Sequence, residues 1–428
     1  MSDTAYHNIR TTAPAPPSGC PVSHTFTPLA SEYMDDPNPI LNLLRDETPI
    51  VWSEPLGFLT VTKMADVVEV FKNPEIYSSE NVQDPVWPID PAAAAILAAD
   101  DFNPVAVMSN RQEPDHSRIR QFTKNGFSNR RVRTLEPYIR RRSHELIDAM
   151  LAGDSPTDFV AALAYPLPGE VIFRFMGFPE ADDEQLKQWC ANRLSFSWGQ
   201  PTVDEQIEIA NNMLAYWRYV REFTADKQHN PGDDFASELL ADHAEHPDLL
   251  SYREVESILY GLSFAGHEPV TLLLGNALLS LLPRRDDWNA LCDDPALIPG
   301  AINEVIRWQS PQMGWRRITT CDTTLGGVDI PQGTQVFLSL GAANLDPDEY
   351  EDPNTFDIRR HDAITNISFG RGNHFCLGAK FARFEAKVVL EVLTERLPSL
   401  RLVEDQEIER FPNISFRGPS ALQVAWDK

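Results

Sequence analysis

From Tyr252 to Leu282 the chain is mostly apolar with helical spacing, and at about 1.5 Å per residue such a helix is long enough to cross the whole molecule. It lies in a stretch dominated by helical periodicity from about Asp66 to Trp308, interrupted by Pro-containing segments at Asp84 to Pro91 and Pro166 to Gly169. The chain is therefore expected to be mainly α. A length of 428 residues would by itself suggest two or three domains, yet no composition shift marks an independent second one. A large cofactor can organise so long a chain into one unit, so residues 26–428 read as a single domain behind an extended leader, 1–25, rich in Pro, Ser and Thr.

Strands form a minor module. Ile50 to Thr62 has strand character, and Thr319 to Leu340 changes to short β-like runs in which Pro331-Gln332-Gly333 reads as the turn of a hairpin. A last clear helix runs from Leu377 to Leu397. With 42% hydrophobic and 23% charged residues the chain can bury a substantial core. Its formal charge of -26 repels nucleic acids and anionic membranes. No stretch approaches the roughly 20 apolar residues of a membrane span, and the start MSDTAYHNIR lacks the blocks of a signal peptide, so a cytoplasmic location is expected.

Five cysteines without a C-x-x-C pair argue against a disulfide framework and a zinc site. Cys190 and Cys292 read as inert buried thiols, and Cys20 in the leader as exposed. Cys376 differs. It sits in Phe369-Gly-Arg-Gly372-Asn-His374-Phe-Cys376-Leu-Gly378-Ala379, directly before a helix. Gly370, Gly372 and Gly378 permit positive φ and close backbone approach, so the loop can present its sulfur beside a flat macrocycle. The following helix N-terminus favours the thiolate.

This loop resembles the haem signature of the cytochrome P450 family, F-x-x-G-x-H/R-x-C-x-G, at every fixed position. The resemblance implies a haem b between the long helix and the cysteine-loop helix. In it Cys376 is the axial iron ligand, donating electron density that favours O–O cleavage, and His374 bonds a haem propionate. Glu304 and Arg307, three apart on one helix face, match the family's E-x-x-R pair. Phe356 and Arg359 resemble its partner segment, with a structural role. His116 and Arg120, four apart on a helix, match haem-anchoring positions, and Arg317, preferred over its neighbour Arg316, resembles the arginine that binds the other propionate.

Within the long helix, Ala265-Gly266-His267-Glu268-Pro269-Val270 resembles the family's A-G-x-D/E-T-T motif, whose acid and threonine manage proton delivery during oxygen activation. Here Pro269 stands where the threonine is expected and has no hydroxyl. Thr271 cannot substitute, because two helical residues turn a side chain by about 200°. Proline also removes the N–H that would bond the Ala265 carbonyl, so the helix is expected to open or kink there, and that carbonyl could hold a water beside Glu268. Two routes follow: a monooxygenase in which such a water replaces the alcohol, with leaky coupling, or a peroxide-driven peroxygenase. A non-catalytic haem sensor is disfavoured by the retained Glu268.

Residues 118–142 hold nine Lys or Arg and one acid, Glu136. With Arg371, Lys380 and Arg383 they are expected to form a basic patch for an acidic ferredoxin or flavodoxin-like donor. No flavin or iron–sulfur segment occurs in the chain, so NAD(P)H-derived electrons are expected from outside. By family position the pocket for a small apolar or aromatic substrate draws on Trp87, Phe196, Trp198, Leu262, Ala265, Met313, Gly314 and Ile414.

Overall fold

The computed structural model describes residues 15–427. Eight strands concern the site: β1 (Val22–Ser23), β2 (Ile50–Ser53), β3 (Phe58–Val61), β4 (Tyr77–Ser78), β5 (Gly314–Thr319), β6 (Thr323–Leu325), β7 (Val328–Ile330) and β8 (Gln335–Ser339). Nine helices do so as well: α1 (Asp115–Gly126), α2 (Glu136–Ala152), α3 (Pro166–Met176), α4 (Asp183–Cys190), α5 (Arg193–Trp198), α6 (Val203–His229), α7 (Tyr252–Leu281), α8 (Ile298–Trp308) and α9 (Ala379–Arg396).

The helix expected from the apolar run is α7, and its start is set by a capping box in which Ser251 and Glu254 satisfy each other's backbone N–H groups. Its residues are buried almost all round, as a helix apolar on every face must be. It is assigned as continuous α-helix through Pro269, so the expected opening does not break it. Gly266 lets it approach α3 closely, since a Cβ there would lie 2.6 Å from Ile172 Cγ1.

One sheet has the order β1-β2-β3-β8-β5-β4. Phe58 to Val61 pairs antiparallel with Ile50 to Ser53 as a hairpin, and β3 runs parallel to β8 with Leu59 opposite Val336. The leader's last residues belong to this sheet, because Val22 and Ser23 pair parallel with Trp52 and Ser53. Cys20 is buried accordingly, not exposed as expected. Residues 1–14 of the leader lie outside the described residues.

Two further local expectations are corrected. Pro331-Gln332-Gly333 does not close a hairpin: β7 pairs with β6 through Gly326 and Gly327, while β8 pairs with β5 and β3. Two glycines with positive φ (52° and 82°) make the tighter turn, and the proline segment only hands the chain from one sheet to the other. Pro166 to Gly169 interrupts nothing either. It forms the first turn of α3, where missing N–H groups cost nothing because that turn has no intrahelical acceptors for them.

Candidate active site

The cysteine loop bends where the glycines allow it. Gly370 (φ 71°) and Gly372 (φ 68°) are left-handed, and a Cβ on Gly372 would meet the Phe71 carbonyl oxygen at 2.7 Å. The Cys376 N–H donates to the Phe369 carbonyl at 2.9 Å, closing the loop and leaving the thiol accessible just before α9. Gly378 has an ordinary helical φ of -78°, so its role is room beside the sulfur, whose Sγ would lie 3.8 Å from a Cβ there. Although the residue is exposed, desolvation by the protein packed around the sulfur pushes the Cys376 thiol up, against the pull of the Gly378 N–H and the Arg120 and Arg383 guanidiniums. A metal cation at the sulfur would favour the thiolate.

Beside the loop, basic groups converge that were far apart in sequence. The His116 and His374 rings stack with centroids 3.9 Å apart. Burial, with Arg317 and His116 nearby, pushes His374 down to about 2. His116 Nδ1 lies 3.2 Å from Glu113, while its Nε2 is buried with no hydrogen-bond partner among the described residues. Arg317 is buried and donates to the Arg316 carbonyl at 2.8 Å; desolvation lowers its pKa to about 9, with no carboxylate among the described residues paired to it. Arg120 donates to the Phe375 carbonyl. Buried donors of this kind need an anionic acceptor, and two propionate carboxylates supply that chemistry, so the residues present fit a haem. Arg316 is otherwise engaged, donating to the carbonyls of Val82 and Asp84 with its guanidinium 4.1 Å from the Trp198 ring centroid.

The middle of α7 is open. Gly261, Leu262, Gly266 and Pro269 are half-buried and Ala265 is exposed within an otherwise buried helix, one stripe at helical spacing. Glu268 is buried on another face and accepts from the Leu194 N–H at 3.3 Å at the start of α5. Burial raises its carboxyl to about 8, opposed by that N–H and by Arg193. His267 points away toward α3, its Nε2 donating to the Tyr165 carbonyl at 2.7 Å. Thr271 donates to the His267 carbonyl at 3.1 Å, which keeps it from serving as the missing threonine.

The E-x-x-R pair is a buried bidentate ion pair, with Arg307 Nε and Nη2 both 2.7 Å from Glu304 oxygens. Its third member is Arg360, Nε 3.3 Å from Glu304, and not Arg359, which is exposed. The segment alone could not separate neighbouring arginines; the Asp357 N–H bonding Glu304 at 2.9 Å sets which one turns inward. Phe356 packs edge-on against Trp308. Phe71, Arg193 and Ser79, which joins His374 at 3.4 Å, were not legible beforehand, since none carries a motif.

The pocket residues fall into groups. Trp87 and Phe196 line one cleft of about 200 Å³ with Gln200 and Gln206. Leu262 and Ala265 lie on the open stripe. Met313 and Gly314 bond through their N–H groups to the Ser415 carbonyl, and the neighbouring Ile414 N–H bonds the Trp198 carbonyl at 3.0 Å. Trp198 is stacked on Trp315, and a Cβ on Gly314 would meet Phe337 at 2.1 Å, so these two positions are held by packing.

Much of the basic segment is paired: Arg118 with Glu254, Arg131 with Glu238, Arg140 with Glu391 and Arg142 with Glu170. Lys124, Arg130 and Arg133 are exposed. Among the described residues no helix is long and apolar enough to cross a membrane.

A loop that offers a thiol beside buried anion-seeking groups has the chemistry of a haem-dependent oxidoreductase. Residues 296–417 match the family described as Cytochrome P450. Cytochrome P450 107B1 of Saccharopolyspora erythraea is 38% identical over 319 residues, 74% of this chain and 76% of that protein. The structure of cytochrome P450 CREJ in complex with (4-ethylphenyl) dihydrogen phosphate is similar with a TM-score of 0.90 at 36% identity, covering 94% of this chain and 100% of that one. An intact type IV self-sufficient cytochrome P450 monooxygenase is similar with a TM-score of 0.93 at 33% identity, over 97% of this chain and 55% of that one. The chain belongs to the cytochrome P450 family. It is an oxidoreductase of the monooxygenase class.

Proposed function

We propose that the protein inserts one oxygen atom from O2 into a small apolar or aromatic molecule, by hydroxylation or dealkylation, with NAD(P)H-derived electrons from a ferredoxin or flavodoxin-like donor. The observation that carries this reading is Glu268, a buried acid on the same turn as the Ala265 carbonyl that Pro269 leaves without a helical N–H. Haem b, when bound, supplies the oxygen-activating iron. Cys376 would hold its iron through the sulfur, His116, Arg120, Arg317 and His374 would hold the propionates, and Phe369 and Gly378 shape the loop around the sulfur. The small, exposed Ala265 would leave space for the group, whereas the missing side chain of Gly266 serves the close approach to Ile172 of α3. Glu268, protonated below about 8, holds a proton on its carboxyl at neutral pH beside a carbonyl able to fix a water.

Its ionisation predicts a pH dependence. As pH rises through about 8 the carboxyl loses its proton, so product formed per NAD(P)H consumed should fall. Glu268→Gln should lower that yield several-fold and flatten the profile above neutrality; an unchanged profile would remove Glu268 from proton supply. The second reading rests on Pro269 itself, and comparing turnover driven by a donor system with turnover driven by hydrogen peroxide decides between them. Product only with peroxide would make the protein a peroxygenase.

The relative solved with a (4-ethylphenyl) phosphate supports an arene in the pocket. Titration with 4-ethylphenol and with (4-ethylphenyl) dihydrogen phosphate, read as displacement of the iron's water in the visible spectrum, separates a neutral from an anionic arene. For the donor, Arg130 and Arg133 are the exposed arginines of the segment. Neutralising both should slow electron transfer several-fold at low salt and weaken its salt dependence. Equal rates at low ionic strength would place the docking face elsewhere.

A further inference from the structure

Behind the open stripe of α7 lies a chain of oxidisable rings that the oxygenation reaction does not use. Tyr260 is five residues before Ala265, about 7.5 Å along the helix axis, and meets Phe264 edge-on at 6.2 Å. Its ring stacks on Tyr216 of α6 at 5.4 Å with 25° between planes. Tyr216 and Tyr219 are one turn apart on α6, with Phe178 wedged against both at 6.5 and 5.6 Å. Tyr219 in turn lies 5.7 Å from Trp189 of α4, and both are half-buried, so the series ends at the surface.

We propose that Tyr260, Tyr216, Tyr219 and Trp189 form a one-electron relay that conducts an unspent oxidising equivalent from the haem site to the protein surface. This rests on the reading that haem is bound at Cys376 and that oxygen activation without the threonine is leaky. Short hops favour transfer, because tunnelling falls steeply with distance.

Proton acceptance sets the direction. A second branch leads from Tyr260 to Trp217, also at 5.4 Å. That ring is fully buried, the Arg253 guanidinium 5.5 Å from its centroid is ion-paired to Glu256, and the indole N–H donates to the Asp101 carbonyl, which cannot take up a proton as the ring loses its electron. On the Tyr219 branch the environment is the opposite. The Tyr219 hydroxyl donates to Asp182 Oδ2 at 2.8 Å, so a carboxylate stands ready to take the phenolic proton as the ring loses its electron. Further in, the Tyr216 hydroxyl is hydrogen-bonded to Ser263 Oγ on α7.

The electron count is simple. One electron passes inward from Tyr260 to the oxidised centre and is replaced in turn from Tyr216 and Tyr219, whose proton goes to Asp182. A soluble thiol-class reductant then re-reduces Tyr219 or Trp189, and Asp182 returns the proton. The net change is one electron from a thiol, which becomes a thiyl radical and leaves its proton in solvent. No bond in the protein is broken.

The test uses haem-loaded protein without substrate, mixed with hydrogen peroxide and frozen for electron paramagnetic resonance. The expected result is an organic radical assigned to Tyr219 or Trp189, with peptide mapping finding oxidation at these two positions. Tyr219→Phe/Trp189→Phe should lose that signal and bleach its haem several-fold faster, while Asp182→Asn should lower the Tyr219 radical yield. An unchanged radical and bleaching rate in the double variant would overturn the relay. The reduced, CO-bound spectrum of the same preparations reports on the haem–thiolate reading separately and shows whether each variant is folded.

Discussion

Replacing Cys376 by serine is expected to abolish the far red-displaced Soret band of the reduced, CO-treated protein and to reduce oxygenation to background. The loss should exceed the roughly 10- to 100-fold cost of changing an outer-shell partner of a metal ligand, because the donor atom itself is gone. Haem should stay bound, since the groups suited to its propionates, His116, Arg120, Arg317 and His374, lie off the sulfur. Visible spectra before and after CO, with haem content measured on the same samples, separate the two roles. No other thiol lies in this loop: Cys20 and Cys190 are buried, Cys292 is half-buried and Cys321 is exposed on another segment. A variant that kept the red-displaced band would show that sulfur is not the ligand.

The second large effect is structural. Glu304→Ala should destabilise the fold by about 3–5 kcal/mol, the cost of leaving a buried charge without its partner. Both side chains of the Glu304–Arg307 pair are fully buried, and Arg307 also donates to the carbonyls of Pro353 and Asn344, so its charge cannot be withdrawn to solvent. Denaturant unfolding of the haem-loaded protein would measure this as a lowered midpoint. Arg360→Gln should cost about 1–3 kcal/mol through a lost charge-assisted bond, whereas Arg359→Gln, an exposed change, should stay within about 0.5 kcal/mol. Equal costs at the two arginines would contradict the assignment of Arg360 as the third member.

The local features were legible because they depend on neighbours in sequence. The glycines that bend the cysteine loop, the apolar run that becomes α7 and the missing N–H at Pro269 all follow from residue type and spacing. The mainly helical fold and the family resemblance followed from such features. What failed was equally physical: β7 chose β6 over β8 because a two-glycine turn is tighter than a proline segment, and Cys20 was drawn inward by a strand pairing across the sheet.

Sequence by itself determined that a thiol would be offered on a tight loop before a helix, and that position 269 of the long apolar helix would carry neither a hydroxyl nor an N–H, since both are matters of covalent identity and local dihedral freedom. Only the tertiary structure decided which groups meet: His116 stacked on His374 from 258 residues away, Arg360 in place of Arg359, and Glu268 buried against the start of α5. Such meetings depend on burial and on the packing of distant elements, which set protonation and partner choice and leave no mark in local spacing.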